Sequence, residues 1–186
     1  MYRINKHNQG KPNILLKQDR KLFHTADLAL LWGITKKNTL YTTIKRYVDK
    51  NILIPIHKGF YSTIELNKIN PVILGVSFLH QYAYLSTESI LVESSIIIQN
   101  IPYLTLIAGV SKRFQIGDQS YYVRQLKEQF LYQTTGIIQE NGYRKATPER
   151  AVADLLYFNP YYHFDGVNLI NWEKVHYLQK EVGYRK

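Results

Sequence analysis

The stretch GITKKNTLYTTIKRYVDKNIL, residues 33–53, joins a helical pattern to five basic side chains. Its apolar residues recur three or four positions apart and would share one face of a helix: Leu40, Ile44, Tyr47 and Val48. Thr35 is suited to the N-cap of this helix, which we expect to span residues 36–50. The basic residues are Lys36, Lys37, Lys45, Arg46 and Lys50.

Shorter elements flank this helix on both sides. Residues 13–19 and 25–33 predict two short helices, the second of which ends at a glycine. After the long helix, residues 52–57 and 60–63 predict two strands that are joined in a hairpin at Lys58–Gly59. Two helices, a turn with a glycine, a third helix and a hairpin follow the order of a winged helix-turn-helix.

The face of the long helix opposite its apolar residues is polar and basic. We place these residues on it: Asn38, Thr42, Lys45, Arg46 and Asp49. Asn and Arg can read base edges in a DNA major groove, while Thr and Lys can hold phosphates. The predicted DNA-binding residues are Lys36, Lys37, Asn38, Thr39, Thr42, Lys45, Arg46, His57 and Lys58. The alternative is a solvated amphipathic helix, but the preceding helix, the turn and the basic hairpin tip favour DNA.

Charge is unevenly distributed along the chain. Residues 1–66 hold twelve Lys and Arg against four Asp and Glu, whereas residues 67–186 hold twelve against ten. This asymmetry is typical of a nucleic-acid-binding module joined to a nearly neutral domain. We therefore expect residues 1–66 to form the DNA-binding domain, with a polar N-terminal arm, and residues 67–186 to form a second domain.

The second domain shows both helical and β-type patterns. Residues 71–97 predict two helices that are broken near Tyr84, while residues 103–126 and 136–147 predict strands and hairpins. The turn signal of Asn141–Gly142 is the strongest of these. Thr147 and Pro148 then suit the start of a helix that extends to residue 158. The fold class is therefore α+β, an N-terminal winged helix-turn-helix followed by a mixed α/β domain.

Three stretches carry a resemblance to a known family. They are GFYS at residues 59–62, YLSTESIL at 84–91 and KATPERAVADLL at 145–156. In this order, the chain resembles the AbiEi-like antitoxins of type IV, or abortive-infection, toxin-antitoxin systems, over about residues 13–160. The most specific part is Ala146 to Leu155.

This resemblance implies an autorepressor that binds the operator of its own operon as double-stranded DNA. It also implies a C-terminal antitoxin domain that counters a nucleotidyltransferase-like toxin, without a stable complex being required. Independently of the family, Arg150 and Asp154 are four residues apart on one helical face and can form an ion pair. We expect a structural role for this pair; the alternative is that Arg150 or Arg144 contacts a phosphate or the toxin.

The sequence gives little support for catalysis. It has no Gly-rich phosphate loop, no His-Glu-x-x-His motif, no Gly-x-Ser-x-Gly elbow and no Cys, and its six His lack metal-ligand spacing. Asp118, Gln125 and Lys127 faintly resemble a nuclease site, but the second carboxylate is missing. We therefore predict a protein that is not an enzyme, with no catalytic residue, no cofactor and no metal.

Three further alternatives stay open. The chain could be a plain winged-helix regulator without antitoxin activity, or an RNA-binding protein in which Tyr121, Tyr122 or Tyr132 stacks on unpaired bases. It could also be an interaction protein that binds no nucleic acid.

Residues 1–17 lack the apolar core of a signal peptide, and no run of about eighteen apolar residues occurs. We expect a cytoplasmic protein with no membrane partner.

Overall fold

The structure is a computed structural model and describes residues 10–184. Most of the predicted N-terminal arm, residues 1–9, lies outside this range. The chain divides into two compact units, Met1–Asn70 and Pro71–Lys186. The described residues form a mixed fold of helices and sheets, which confirms the expected α+β class. None of their helices is long and apolar enough to cross a membrane.

Within residues 10–70, the first unit contains three α-helices and three short strands. They are α1 (Lys11–Leu16), β1 (Leu22–His24), α2 (Thr25–Trp32), α3 (Lys37–Asp49), β2 (Ile54–His57) and β3 (Phe60–Ser62). Gly33 ends α2 in a left-handed conformation with φ 62°, which a residue without Cβ adopts at no steric cost. The expected N-cap of α3 was wrong by one residue, since Lys36 rather than Thr35 occupies that position.

The three strands form an antiparallel sheet in the order β1-β3-β2. The β2–β3 hairpin agrees with the sequence prediction, while β1 was not predicted. Tyr61 of β3 lies between Phe23 of β1 and Pro55 of β2. The buried core of the unit draws on all three helices, on β1 and on the segment before β2: Leu15, Phe23, Leu28, Trp32, Leu40, Ile44, Tyr47 and Leu53.

Within residues 71–184, the second unit contains a six-stranded sheet and five α-helices. The elements are α4 (Pro71–Leu79), β4 (Ala83–Leu85), α5 (Glu88–Glu93), β5 (Tyr103–Ala108), β6 (Lys112–Ile116), β7 (Gln119–Gln125), α6 (Glu128–Leu131), β8 (Ile137–Glu140), β9 (Tyr143–Ala146), α7 (Pro148–Phe158) and α8 (Trp172–Val182). The strand order is β6-β7-β5-β4-β9-β8. β5 runs parallel to β7 and β4 parallel to β9, and the other neighbours are antiparallel.

One strand at the centre of this sheet was not predicted. The two helices predicted in residues 71–97 are observed as α4 and α5, but the break between them near Tyr84 contains β4, a strand with all three residues buried. A strand covered on both faces has no alternating pattern, so its apolar run resembles a buried helix. The N-cap of α5 is Thr87, one residue after the expected Ser86.

Helices pack on both faces of the sheet. On one face, α4 approaches so closely that a Cβ at Gly75 would lie 2.3 Å from the ring of Tyr121. On the other face, the hydroxyl of Tyr84 reaches Asp154 of α7. The sheet is therefore a central layer whose side chains alternate between the two helical layers.

Candidate nucleic-acid interface

The sequence-predicted DNA-binding residues are all exposed in the structure: Lys36, Lys37, Asn38, Thr39, Thr42, Lys45, Arg46, His57 and Lys58. Seven of them lie on α3 or immediately before it, and the other two lie at the β2–β3 turn. The inner face of α3 is buried at Leu40, Thr43, Ile44 and Tyr47. Because these buried residues fix the rotation of the helix, the polar residues are directed to solvent.

Hydrogen bonds along α3 constrain two of its threonines. The hydroxyl of Thr42 donates to the carbonyl of Asn38 at 2.9 Å, and that of Thr43 donates to the carbonyl of Thr39 at 2.8 Å. Such bonds to the preceding turn satisfy the hydroxyl proton within the helix. Thr42, which is exposed, therefore presents only its lone pairs and its methyl group to a partner.

A shallow recess of about 400 Å³ follows one flank of α3. It is lined by Asn38, Thr39, Thr42, Thr43 and Arg46. The guanidinium carbon of Arg46 lies 5.2 Å from the centre of the Tyr47 ring, within the range of a cation–π contact. Because Tyr47 is buried, this contact holds the arginine head on the flank of the helix.

A second recess, of about 380 Å³, is shared by α3 and the hairpin. Tyr41, Pro55, Ile56, His57, Lys58, Gly59 and Tyr61 line it. The backbone N–H and the hydroxyl of Thr25 both donate to the carbonyl of Gly59, at 2.9 and 3.2 Å, and so tie the turn to the start of α2. Sequence reasoning missed Tyr41 and Tyr61, because a tyrosine at such a position is usually assigned to packing.

The cations of this surface are not neutralised by neighbouring carboxylates. Within residues 10–184, no ion pair involves Lys36, Lys37, Lys45, Arg46, Lys50 or Lys58. In contrast, Arg20 in the same unit lies 3.3 Å from Asp27. The outward face of α3 therefore keeps its positive charge available for an external anion, apart from the exposed Asp49 at its C-terminal end.

The residues of the nuclease-like alternative in the second unit lie far apart, while those of the RNA-binding alternative differ in exposure. Asp118 precedes β7 and Gln125 ends it, so about 20 Å of extended strand separate the residues of the nuclease-like alternative. No group of three or more His, Asp or Glu within the described range is arranged to hold a metal ion. Of the tyrosines considered for RNA, Tyr121 is buried and stacked on Phe114, whereas Tyr132 is 56% exposed.

The motif that carries most of the family resemblance is buried. Arg150 and Asp154 are both fully buried, and the arginine Nε donates to the carboxylate Oδ1 at 2.8 Å. The other nitrogens of Arg150 donate to the carbonyls of Gln133 and Thr135, at 2.9 and 2.7 Å, and to the hydroxyl of Tyr84, at 3.2 Å. The expected ion pair is confirmed, and its burial excludes a direct contact of Arg150 with a partner.

The Asp154 carboxylate accepts hydrogen bonds from three hydroxyl groups in addition to the one from the arginine. Tyr184 donates to Oδ1 at 2.6 Å, while Ser86 and Tyr84 donate to Oδ2 at 2.7 and 3.1 Å. Burial raises the pKa of both tyrosines, and the adjacent Asp154 carboxylate raises it further. Burial alone would lower the pKa of Arg150, but the attraction of Asp154 raises it above its ordinary value. The centre of the network is therefore an ion pair that is closed to solvent, with the partly buried Tyr184 at its edge.

Comparison with known proteins assigns no family to the chain. No protein-family model matches it, and no curated protein matches it. The candidate interface on α3 and the hairpin therefore rests on its own geometry and charge.

Proposed function

We propose that the chain is a DNA-binding transcriptional regulator in which the first unit is a winged helix-turn-helix. In this proposal α2 and α3 form the helix-turn-helix, with α3 as the recognition helix and the β2–β3 hairpin as the wing. The observation that carries it is the outward face of α3, where unpaired cations flank exposed Asn38 and Thr42. A major groove about 12 Å wide admits one helix, and this face offers it both base-reading and phosphate-binding side chains.

Salt dependence gives the direct test of the DNA interface. Binding of the full chain to duplex DNA should weaken steeply as salt rises, because each phosphate contact releases a counterion. Replacing both Lys45 and Arg46 by Ala should reduce the slope of log affinity against log salt by roughly 1 to 2 units. Both side chains are exposed, so circular dichroism should show an unchanged fold.

A matched control is available in the same unit. Lys68 is exposed and lies 3.1 Å from Glu65, outside α3 and the hairpin. Lys68→Ala removes one charge of the same sign and should leave the slope unchanged within error. Equal slopes for the unchanged chain, the Lys45→Ala/Arg46→Ala variant and the control would refute the DNA interface on α3.

The second part of the proposal concerns the role of the regulator. We propose that it represses its own operon and acts as the antitoxin of a type IV toxin-antitoxin system in the cytoplasm. The support is the resemblance at residues 84–91 and 145–156, together with the burial of Ser86, Arg150 and Asp154 in one network. Because these motif residues form the core of the second unit, the resemblance supports a shared fold of that unit. The alternative is a plain regulator without antitoxin activity.

Co-expression with a nucleotidyltransferase-like toxin from the neighbouring gene tests this role. The chain, supplied from an unrelated promoter, should restore growth, and the Lys45→Ala/Arg46→Ala variant should still do so while failing to repress the operon. Loss of rescue by this variant at normal abundance would tie neutralisation to DNA binding. Failure of the unchanged chain to rescue would favour the plain regulator.

A further inference from the structure

Three exposed polar residues form a straight line on α3. Asn38, Thr42 and Lys45 are spaced by four and three positions, so they lie within about 60° of one another around the helix axis. Asn38 and Lys45 are separated by about 10 Å along the axis, at about 1.5 Å per residue. Where the helix axis follows the stack of base edges in the groove, this distance corresponds to about three base pairs at about 3.4 Å each.

Arg46 and Tyr41 lie on the two sides of this line. Arg46 lies against the ring of Tyr47 on one flank, and Tyr41 faces the hairpin recess on the other. Residues on the two flanks of a helix in a groove meet the two sugar-phosphate walls, and residues on the central line meet the floor. We therefore separate Arg46, as a direct phosphate contact, from Lys45, whose ammonium group reaches a base edge while its charge still displaces counterions from the groove.

The chemistry of the line restricts the bases that it can recognise. An Asn amide pairs with the N6 and N7 positions of adenine, and a Lys ammonium donates to O6 and N7 of guanine. Thr42 already donates its hydroxyl proton to the carbonyl of Asn38. Its exposed methyl group is therefore suited to the C5-methyl of thymine.

Asp49 limits the part of α3 that can lie close to DNA. It lies on the same line, eleven positions after Asn38, and is exposed at the last residue of α3. A carboxylate there repels the phosphates on either side of the groove. The first three turns of α3 therefore enter the groove more deeply than the last one.

From this arrangement we infer that the chain recognises a DNA half-site in which an adenine and a guanine stand three base pairs apart, with a thymine between them on either strand. Asn38 reads the adenine, Thr42 contacts the thymine and Lys45 reads the guanine. Arg46 contributes affinity that does not depend on sequence. This inference rests on the proposed DNA-binding function.

Selection of the full chain on a randomised duplex library tests the inference. The enriched sequences should contain A·T and G·C pairs at the stated spacing. On the selected site, Asn38→Ala should lower affinity about five- to 150-fold and remove the preference at the A·T pair only, as expected for one lost bidentate contact. Lys45→Ala should remove the preference at the G·C pair only.

The Arg46→Ala variant provides the matched comparison with Lys45→Ala, because it removes the neighbouring charge. It should weaken binding to the selected site and to random duplex by the same factor. Loss of a base preference in Arg46→Ala, with uniform weakening in Lys45→Ala, would overturn the assignment. Duplex binding without an enriched motif would overturn the half-site alone, and absence of any duplex binding would overturn the proposed function as well.

Discussion

Replacement of Asp154 by Asn should destabilise the second unit severely. The substitution keeps the volume of the side chain but removes the charge that faces Arg150, which is fully buried. Removing one partner of a buried ion pair costs about 3 to 5 kcal/mol, because the other charge stays buried without compensation. The amide also offers only one acceptor oxygen where the carboxylate accepts four hydrogen bonds, from Arg150, Tyr184, Ser86 and Tyr84. We expect a loss at the upper end of this range.

Urea unfolding followed by circular dichroism and tryptophan fluorescence measures this loss. Trp32 lies in the first unit and Trp172 in the second, so single-tryptophan variants distinguish the two units. Asp154→Asn should shift the transition seen by Trp172 and leave that seen by Trp32 in place. Domains of ordinary stability have about 5 to 15 kcal/mol to lose, so the second unit should become marginal.

Two further variants serve as controls for Asp154→Asn. Lys174→Ala breaks the 3.2 Å ion pair with Glu149 between α8 and α7, which is half exposed on the lysine side, and should cost less than about 1 kcal/mol. Arg150→Met combined with Asp154→Leu removes both charges and should cost less than the two single changes added together. A loss below about 1 kcal/mol for Asp154→Asn, equal to the Lys174→Ala control, would show that the buried charge is not stabilised as described.

The remaining predictions concern pH, packing and charge. The raised pKa values of Tyr84 and Tyr184 mean that, at alkaline pH, the folded chain holds protons that the unfolded chain releases. Their contribution to the free energy of unfolding should therefore be constant below a pH of about 10 and fall above it, as urea titrations between about pH 8 and 11 would show. Gly75→Ala should destabilise the second unit by about 1 to 3 kcal/mol in the same assay, because the new methyl group would overlap the buried Tyr121 ring. Asp49→Asn should tighten binding to any duplex by roughly two- to five-fold at low salt, and the gain should disappear at high salt.

Periodicity, turn residues and caps in the sequence predicted the elements that have one buried and one exposed face. α3 was predicted within one residue at each end, because its buried and exposed residues follow the helical period. The β2–β3 and β8–β9 hairpins were predicted from their turn residues. Thr147 caps α7 as expected, with its hydroxyl oxygen accepting from the N–H of Arg150 at 3.3 Å. In each of these cases, the information lies within a few neighbouring residues.

Elements that depend on distant partners were missed. β1 has only three residues, and its strand character comes from pairing with β3, more than thirty residues later. β4 is buried on both faces, and its neighbours β5 and β9 lie at very different distances along the chain. Part of the candidate site was missed for the same reason, because the recess between Tyr41 and the hairpin forms only when α3 and the hairpin pack together. No spacing within the sequence could indicate it.

The buried motif at residues 146–155 bears on the fold of the second unit and not on DNA contacts. Ala146 and residues 150–155 are buried in the core of the second unit, and the pair of Arg150 and Asp154 is closed to solvent. These residues therefore stabilise the fold and do not contact a partner directly. The proposed DNA contacts lie on the surface of the other unit, where the charge can change without disturbing either core. A change such as Asp154→Asn should therefore impair any activity of the second unit through stability. A change such as Lys45→Ala should act only on the proposed DNA binding. Loss of toxin neutralisation in the first variant but not in the second would assign that activity to the second unit.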